Sequence, residues 1–464
     1  MRSGRHIVPP HPKLREQIKR ETTESGVSGG LLKLLTTHPK PPTRKLRSTQ
    51  LETPPQNARV LRGTLRIIVV LVEFADCPMK QTARHFGDLF FSTCAIATGS
   101  VREYYTEVSH GLVDITGDAV GPFVMPLTLA EYVHGAAGIG DTPPNAQTMA
   151  RDAVIAAAAA TPAVNFDIYD NDGNGFVDAF VIVHAGQGAE LTGSLNDLWS
   201  HKWVLEGGAY GVNATHVFDY LTVSEDCRIG ACCHELGHLL FNFPDLYDTD
   251  YTSQGVGDWC LMGSGAWGEG GDVPSHPSAW CKLIQGWVEV ENCTTNAFVE
   301  LCDVKNTYTV LRLWGYGNRS TEYFLVENRQ RQMFDRSLPA SGLLVWHIDE
   351  MVENNTNENH YMVALVQADG RRDLEHAVNL GDDGDPFPGS VNNLTFAKES
   401  NPNSQSYNGG DTCVAVTNIG TTAAVMRIFV QVDCRPIRYS GDIPRCQPLG
   451  PSFIVGWRAR LCLA

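Results

Sequence analysis

The sequence predicts an α+β protein, with a helix-backed, mostly parallel sheet in its first half and an all-β second half. Three stretches carry this expectation. Residues 66–76, RIIVVLVEFAD, form a short continuous apolar run, the pattern of a central strand covered on both faces. The stretch PNAQTMARDAVIAAAAATP, bounded by Pro144 and Pro162, is a helix whose alanines allow close packing behind a sheet. From about Glu289 the texture changes to short β-rich runs separated by polar turns.

Length and composition bound the rest. With 464 residues, 43% of them hydrophobic, the chain has material for two or three domains with sizeable cores and is not a disordered polymer. No run of eighteen apolar residues occurs, so no membrane-spanning helix is expected. The net charge of −16 is uneven: residues 1–62 hold 13 Lys/Arg against 4 Glu, leaving 23 basic against 48 acidic side chains in the remainder. An acidic body argues against nucleic-acid partners and suits carboxylate sites for calcium, although solubility alone explains it equally well. Thirteen cysteines, none before Cys77, favour export and some disulfides. The opening MRSGRHIVPPHPK, however, has no apolar signal segment.

Taken in order, residues 1–62 are basic and rich in Pro, Thr and Ser, with one short helix near Lys13 to Thr22, and read as a tail or propeptide. They contain no Cys, so any self-inhibition could not place a thiolate on a metal. A folded body spans residues 63–288. After its first strand, VREYYTEVSHG reads as a helix and LVDITGDAVGPFVM as a strand or hairpin. Then come the alanine-rich helix, the strand FVDAFVIVHAG, and a strand pair around NDLWSHKWVLEGG and HVFDYLTVS. Residues 289–434 contain TYTVLRLW, TEYFLVENR, SGLLVWHID, YMVALVQAD and AAVMRIFVQV, the strands of an all-β domain. Residues 435–464 form a Pro/Arg/Cys-containing tail.

The run CRIGACCHELGHLLFNFPDLY, residues 227–247, contains H-E-x-x-H at His234, Glu235 and His238. On a helix, four residues bring the second imidazole to within about 40° of the first, so both can reach one ion. Ile229, Cys233, Leu236 and Leu240 make an apolar stripe, with the histidines roughly opposite it. Gly230, Ala231 and Gly237 near the histidine face leave room for a metal and a substrate. Ser224 is the expected N-cap, and Pro244 ends the helix. Catalytic zinc keeps three protein ligands, and the first acidic candidate for the third is Asp245, with Asp248 the second. Glu235 beside the ion suits a general base that takes a proton from zinc-activated water and returns it to the leaving amine. His184, His201 and His347 stand alone in strands and are left outside the site, and Tyr247 is read as a packing residue.

Upstream, Asp170, Asp172, Asn174, Gly175 and Asp178 match positions 1, 3, 5, 6 and 9 of a calcium loop, with the Phe176 carbonyl at position 7. Position 12 is Val181, without the bidentate Glu of an EF-hand, so further ligands must come from elsewhere. A polar turn without metal is the alternative.

HELGH, PDLYD, the turn GDWCLMGSGAWG and the helix ending in GWV together resemble the immune-inhibitor-A-type secreted metallopeptidases, a branch related to the metzincins. LVEFAD, DNDGNGFVDAFVIVHAG, EYFLVENRQ, SGLLVWHIDE and DPFPG look like that family too, so the resemblance runs from about residue 65 to 434. It implies a metzincin-like catalytic domain with a twisted sheet, a backing helix and an active-site helix, and an extracellular zinc endopeptidase acting on proteins or peptides, with structural calcium. It makes Met262 a Met-turn, an apolar floor under the zinc. One departure touches the site: Phe241 stands where the pattern has Gly, and Asp245 comes one residue later than the pattern's third ligand.

The leading expectation is therefore a zinc-dependent endopeptidase with His234, His238 and Asp245 as ligands and Glu235 as base. A catalytically inactive, calcium-stabilised binding or adhesion protein on the same fold is the alternative, supported by the lengthened ligand loop. A cytoplasmic zinc hydrolase would rest on the missing signal segment alone. Cleavage specificity and oligomeric state leave no trace in the sequence.

Overall fold

The computed structural model describes residues 5–25, 30–36 and 60–434, and the tail from 435 lies outside them. It is a mixed α+β structure. A short strand β1 (His6–Ile7) is followed by helices α1 (Pro12–Ser25) and α2 (Gly30–Thr36), so the helix expected near Lys13 is present. Next come β2 (Gly63–Glu73), α3 (Ala83–Phe91), α4 (Val101–Val108), β3 (Val113–Val124), α5 (Leu129–Val133), α6 (Ala146–Ala158), β4 (Phe180–His184), α7 (Ala189–Thr192) and β5 (His201–Val204). A hairpin of β6 (Tyr210–Val212) and β7 (Thr215–Val217) leads to β8 (Asp219–Ser224) and α8 (Ile229–Phe241). No helix among the described residues is long and apolar enough to cross a membrane.

The sheet order is β1-β5-β8-β4-β2-β3. Strands β3, β2, β4 and β8 run parallel, whereas β5 is antiparallel to β8 and β1 antiparallel to β5. The two-residue period of a strand explains why β2 is apolar throughout. Ile67, Val69 and Leu71 point into one core with α8, while Ile68, Val70 and Val72 point into a second with α6. β4 divides the same way, with Val181 and Val183 on the first side and Phe180 and Ile182 on the second. On α6, Met149, Ala150, Ala153, Val154 and Ala157 lie flat against the sheet, and Asn145 caps the helix by accepting from the backbone N–H of Gln147 and Thr148.

The second half is dominated by strands. Helix α9 (Ala279–Ile284) precedes β9 (Glu289–Cys293), β10 (Ala297–Cys302), a helical turn α10 (Val304–Thr307), β11 (Thr309–Trp314), β12 (Glu322–Arg329), β13 (Gly342–Asp349), β14 (Val363–Val366), β15 (Ala415–Thr417) and β16 (Val425–Gln431). They form a five-stranded sheet, β14-β13-β12-β11-β9, and a three-stranded sheet, β10-β16-β15. Phe324, Val326, Leu343 and Val345 face the smaller sheet. Leu325, Leu344, Trp346 and Ile348, on the opposite face, join the same core as Leu236 and Leu240 of α8. One apolar core thus continues across residue 288.

Beside that continuous core lies a buried charge network. Lys282 donates to Glu327 at 2.8 Å, and Arg329 donates to Glu327 at 3.1 Å. Arg329 also donates to Asp335 through Nε at 2.6 Å, and Lys305 donates to Asp303 at 3.0 Å. Removing one charge from such a group leaves others buried and unpaired. Arg329→Met is therefore expected to cost about 3–5 kcal/mol of folding stability in denaturant titration; an unchanged midpoint and slope would show that the network contributes nothing net.

Candidate metal centre

Helix α8 carries the three residues of the H-E-x-x-H motif in a fully buried setting. It begins after Arg228 with no side-chain cap, so the expected Ser224 cap is incorrect. Ser224 ends β8 instead and donates to Asp226, because the chain needs Glu225–Arg228 to leave the sheet before it can coil. The small residues of the helix also serve a purpose other than the expected one. A Cβ on Gly230 would lie 1.9 Å from the Ala266 carbonyl oxygen, and one on Gly237 would lie 3.0 Å from Met262 Sδ. These glycines let the loop after the helix pack against it, so the space beside them is filled by protein and not by substrate.

The helix ends in a left-handed Asn242, φ 52°, whose N–H reaches the His238 carbonyl at 3.1 Å. The N–H of Phe243 donates back to Gly237 O at 3.1 Å. Such a turn satisfies the last carbonyls of the helix and reverses the chain. The N–H groups of Leu246 and Tyr247 then donate to Met262 O at 2.8 and 3.2 Å. Asp245 is held between these two anchors, so the residue inserted after His238 is absorbed by the cap.

Its carboxylate meets both histidines. Asp245 Oδ1 is 3.3 Å from His234 Nε2 and 3.1 Å from His238 Nε2, and the two Nε2 atoms are 3.1 Å apart. Ligand atoms on a tetrahedral zinc with bonds near 2.0 Å are separated by about 3.3 Å, so this triangle fits one face of such a site. His234 Nδ1 faces Leu261 O at 3.0 Å and His238 Nδ1 faces Phe243 O at 2.6 Å. Those acceptors require N–H at Nδ1 and leave both Nε2 lone pairs turned inward, the tautomer a metal needs. Burial lowers the His238 imidazole to about 3, which keeps it neutral.

Glu235 shares the pocket. Both of its carboxylate oxygens are buried, with the Lys202 backbone N–H turned toward them. Burial first, and the charge of Asp245 second, push its carboxyl well above the usual range. Met262 is fully buried against Gly237, directly behind the motif. Asp248 does not join the group, since its carboxylate accepts from Ser253 and Thr252 within its own turn.

The remaining candidates fall as follows. Asp170, Asp172 and Asp178 bring a carboxylate oxygen each within 4.8 Å of one another, and burial raises Asp178 to about 6. The Asn174 side chain accepts from the N–H of Phe176. His184, His201 and His347 stay outside the centre: His184 faces Ala185 O, His201 bridges Trp199 O and Tyr220, and His347 meets Glu322. Tyr247 is buried, and its hydroxyl donates to Ile7 O at 2.9 Å. Sequence reasoning missed His6. Its Nδ1 lies 2.9 Å from Asp245 Oδ2, and its ring stacks on His238 with centroids 4.3 Å apart. Nothing local in HIVPP marks that contact, which spans 239 positions.

Residues 61–291 match the model of the immune inhibitor A peptidase M6 catalytic domain. Among curated proteins the chain is similar to the pre-pro-metalloprotease PrtV of Vibrio cholerae serotype O1 (strain M66-2), 30% identical over 307 residues that cover 52% of this chain and 33% of that protein. It is also similar to Immune inhibitor A of Bacillus thuringiensis subsp. alesti, 29% identical over 266 residues that cover 46% of this chain and 39% of that one. The chain therefore spans well under half the length of the curated relatives it matches.

Proposed function

Residues 61–291 carry an immune inhibitor A peptidase M6 catalytic domain, and from that premise we propose that the chain is a zinc-dependent metalloendopeptidase acting on protein or peptide substrates outside the cell. The observation that carries this reading is the triangle of His234 Nε2, His238 Nε2 and Asp245 Oδ1, with edges of 3.1 to 3.3 Å. Zinc, when bound to these three residues, supplies Lewis acidity toward a water and the scissile carbonyl. The charge of a bound cation would favour the ionised form of Glu235, which then takes a proton from the attacking water on a carboxylate oxygen and delivers it to the leaving amine, which departs neutral. The carbonyls of Leu261 and Phe243 hold the histidine rings in their ligating tautomer. Met262 supplies the apolar floor of a metzincin-like site. An inactive binding protein on this fold is not favoured, because ligands and base are retained together.

We further propose that Asp170, Asp172 and Asp178, with the Asn174 side chain and the Phe176 carbonyl, hold a structural calcium ion in the loop that leads into β4. The raised Asp178 carboxyl fits this, since burial foremost, and the charges of Asp172 and Asp170 after it, disfavour its ionised form and a bound cation would offset them. Residues 1–62 serve as a propeptide segment, 63–288 as the catalytic unit and 289–434 as a β-rich unit docked on it.

Metal analysis of the purified chain, paired with a casein-cleavage assay, tests the main reading. Bound zinc and cleavage that a chelator removes and zinc restores are expected. Chelator-resistant cleavage would reject a metal mechanism, and calorimetry showing no calcium uptake would reject the second site.

A further inference from the structure

We propose that Cys227 and Cys232 are the site of a disulfide bond that clamps the first turn of the helix carrying the metal ligands. The link needs neither metal nor substrate and so stands apart from the peptidase reading. Helix α8 starts after Arg228 without a side-chain cap, so its N-cap residue does not hold the first turn. In many helices the residue just ahead of the cap packs on the fourth residue of the helix, which fixes the angle at which the chain enters. Here those two positions are Cys227 and Cys232. Cys232 Sγ donates to Cys227 Sγ at 3.6 Å, so the sulfurs are in contact but unbonded. Two thiols thus stand where an apolar pair would be enough for packing.

The surroundings suit a link. Closing the bond takes an approach of about 1.5 Å, shared between two side chains, to the roughly 2.05 Å of a disulfide. The backbone on either side is already held: the Cys227 N–H donates to Ser224 O at 3.1 Å and the Cys232 N–H to Arg228 O at 3.4 Å. Cys232 is fully buried and Cys227 is 7% exposed, but Asp226 and Arg228 beside Cys227 are exposed, so a small reagent meets Cys227 first. The oxidant is a small-molecule disulfide. Cys227 Sγ attacks one of its sulfurs, whose S–S bond breaks and releases one thiol. Cys232 Sγ then attacks Cys227 Sγ, which forms the internal bond and releases the second thiol. The two cysteine sulfurs are oxidised, the small disulfide is reduced, and the two cysteine protons end on the released thiols. Cys260, which meets Cys281, is placed differently: its Sγ accepts from the backbone N–H of Met262 at 3.3 Å and of Ser278 at 3.1 Å, and so serves the turn around Met262. The chain already carries one disulfide, Cys413–Cys434, which fits a compartment where such bonds persist. His234 lies two residues beyond Cys232, so loosening of the first turn reaches the first metal ligand.

Peptide mapping reads the link directly. The full chain is exposed to oxidised glutathione, its remaining thiols are alkylated in denaturant, and trypsin cuts it between Arg228 and Ile229. A peptide ending at Arg228 joined to one beginning at Ile229, and separated by reduction, is expected, with Cys233 alkylated. Recovery of Cys227 and Cys232 as alkylated thiols, or a link through Cys233 in place of Cys232, would overturn the assignment. Amide hydrogen exchange tests the clamp itself. Exchange at residues 232–236 is expected to be about 10- to 100-fold slower in the linked chain than in the double variant Cys227→Ser, Cys232→Ser. The wild-type chain prepared without oxidant gives the same comparison free of any substitution. Equal rates in linked and unlinked chains would refute the clamp even with the bond present.

Discussion

Glu235→Gln is expected to lower kcat/KM for casein by about 10²- to 10⁴-fold while zinc content stays that of the wild type. Glutamine keeps the volume and polarity of the side chain but cannot take up a proton. Both oxygens of Glu235 are buried, and a glutamine carbonyl oxygen can still accept from the Lys202 backbone N–H, so the change removes mainly the charge. A fall in zinc content would make Glu235 a contributor to metal binding, and undiminished cleavage would remove it from the mechanism altogether.

The second large effect concerns the third ligand. Asp245→Ala should strip zinc from the centre, weakening its affinity by more than the roughly 10- to 100-fold typical of residues that merely support a ligand. Asp248→Ala should leave zinc in place, because its carboxylate is engaged by Ser253 and Thr252 in a turn. Competition with a chromogenic chelator measures both affinities. The reverse ranking would transfer the ligand role to Asp248 and make the 3.1 and 3.3 Å approaches of Asp245 incidental.

The parts that were legible in sequence share one property: their geometry is set locally. The helix of His234, Glu235 and His238 follows from 3.6-residue periodicity, and the apolar strands β2 and β4 follow from two-residue alternation with both faces covered. Asp245 was legible as a residue type at a distance, but its delivery depends on the left-handed Asn242 and on the Met262 carbonyl that receives Leu246 and Tyr247. The glycines of α8 were misjudged for a related reason. Whether a missing side chain makes room for substrate or for a neighbouring backbone is decided by Ala266 and Met262, which lie elsewhere in the chain. His6 was beyond reach: strand pairing with residues 201–202 and stacking on His238 are long-range events that leave no periodic mark on a two-residue strand.

The core that runs past residue 288 has a consequence for how the molecule is made. Leu236 and Leu240, on the helix bearing the metal ligands, belong to one apolar cluster with Trp346, Leu365 and Leu374. A ribosome delivers the chain from its amino end, and units generally fold as they emerge. It follows that the helix bearing the metal ligands stays partly uncovered until the β-rich half has been made.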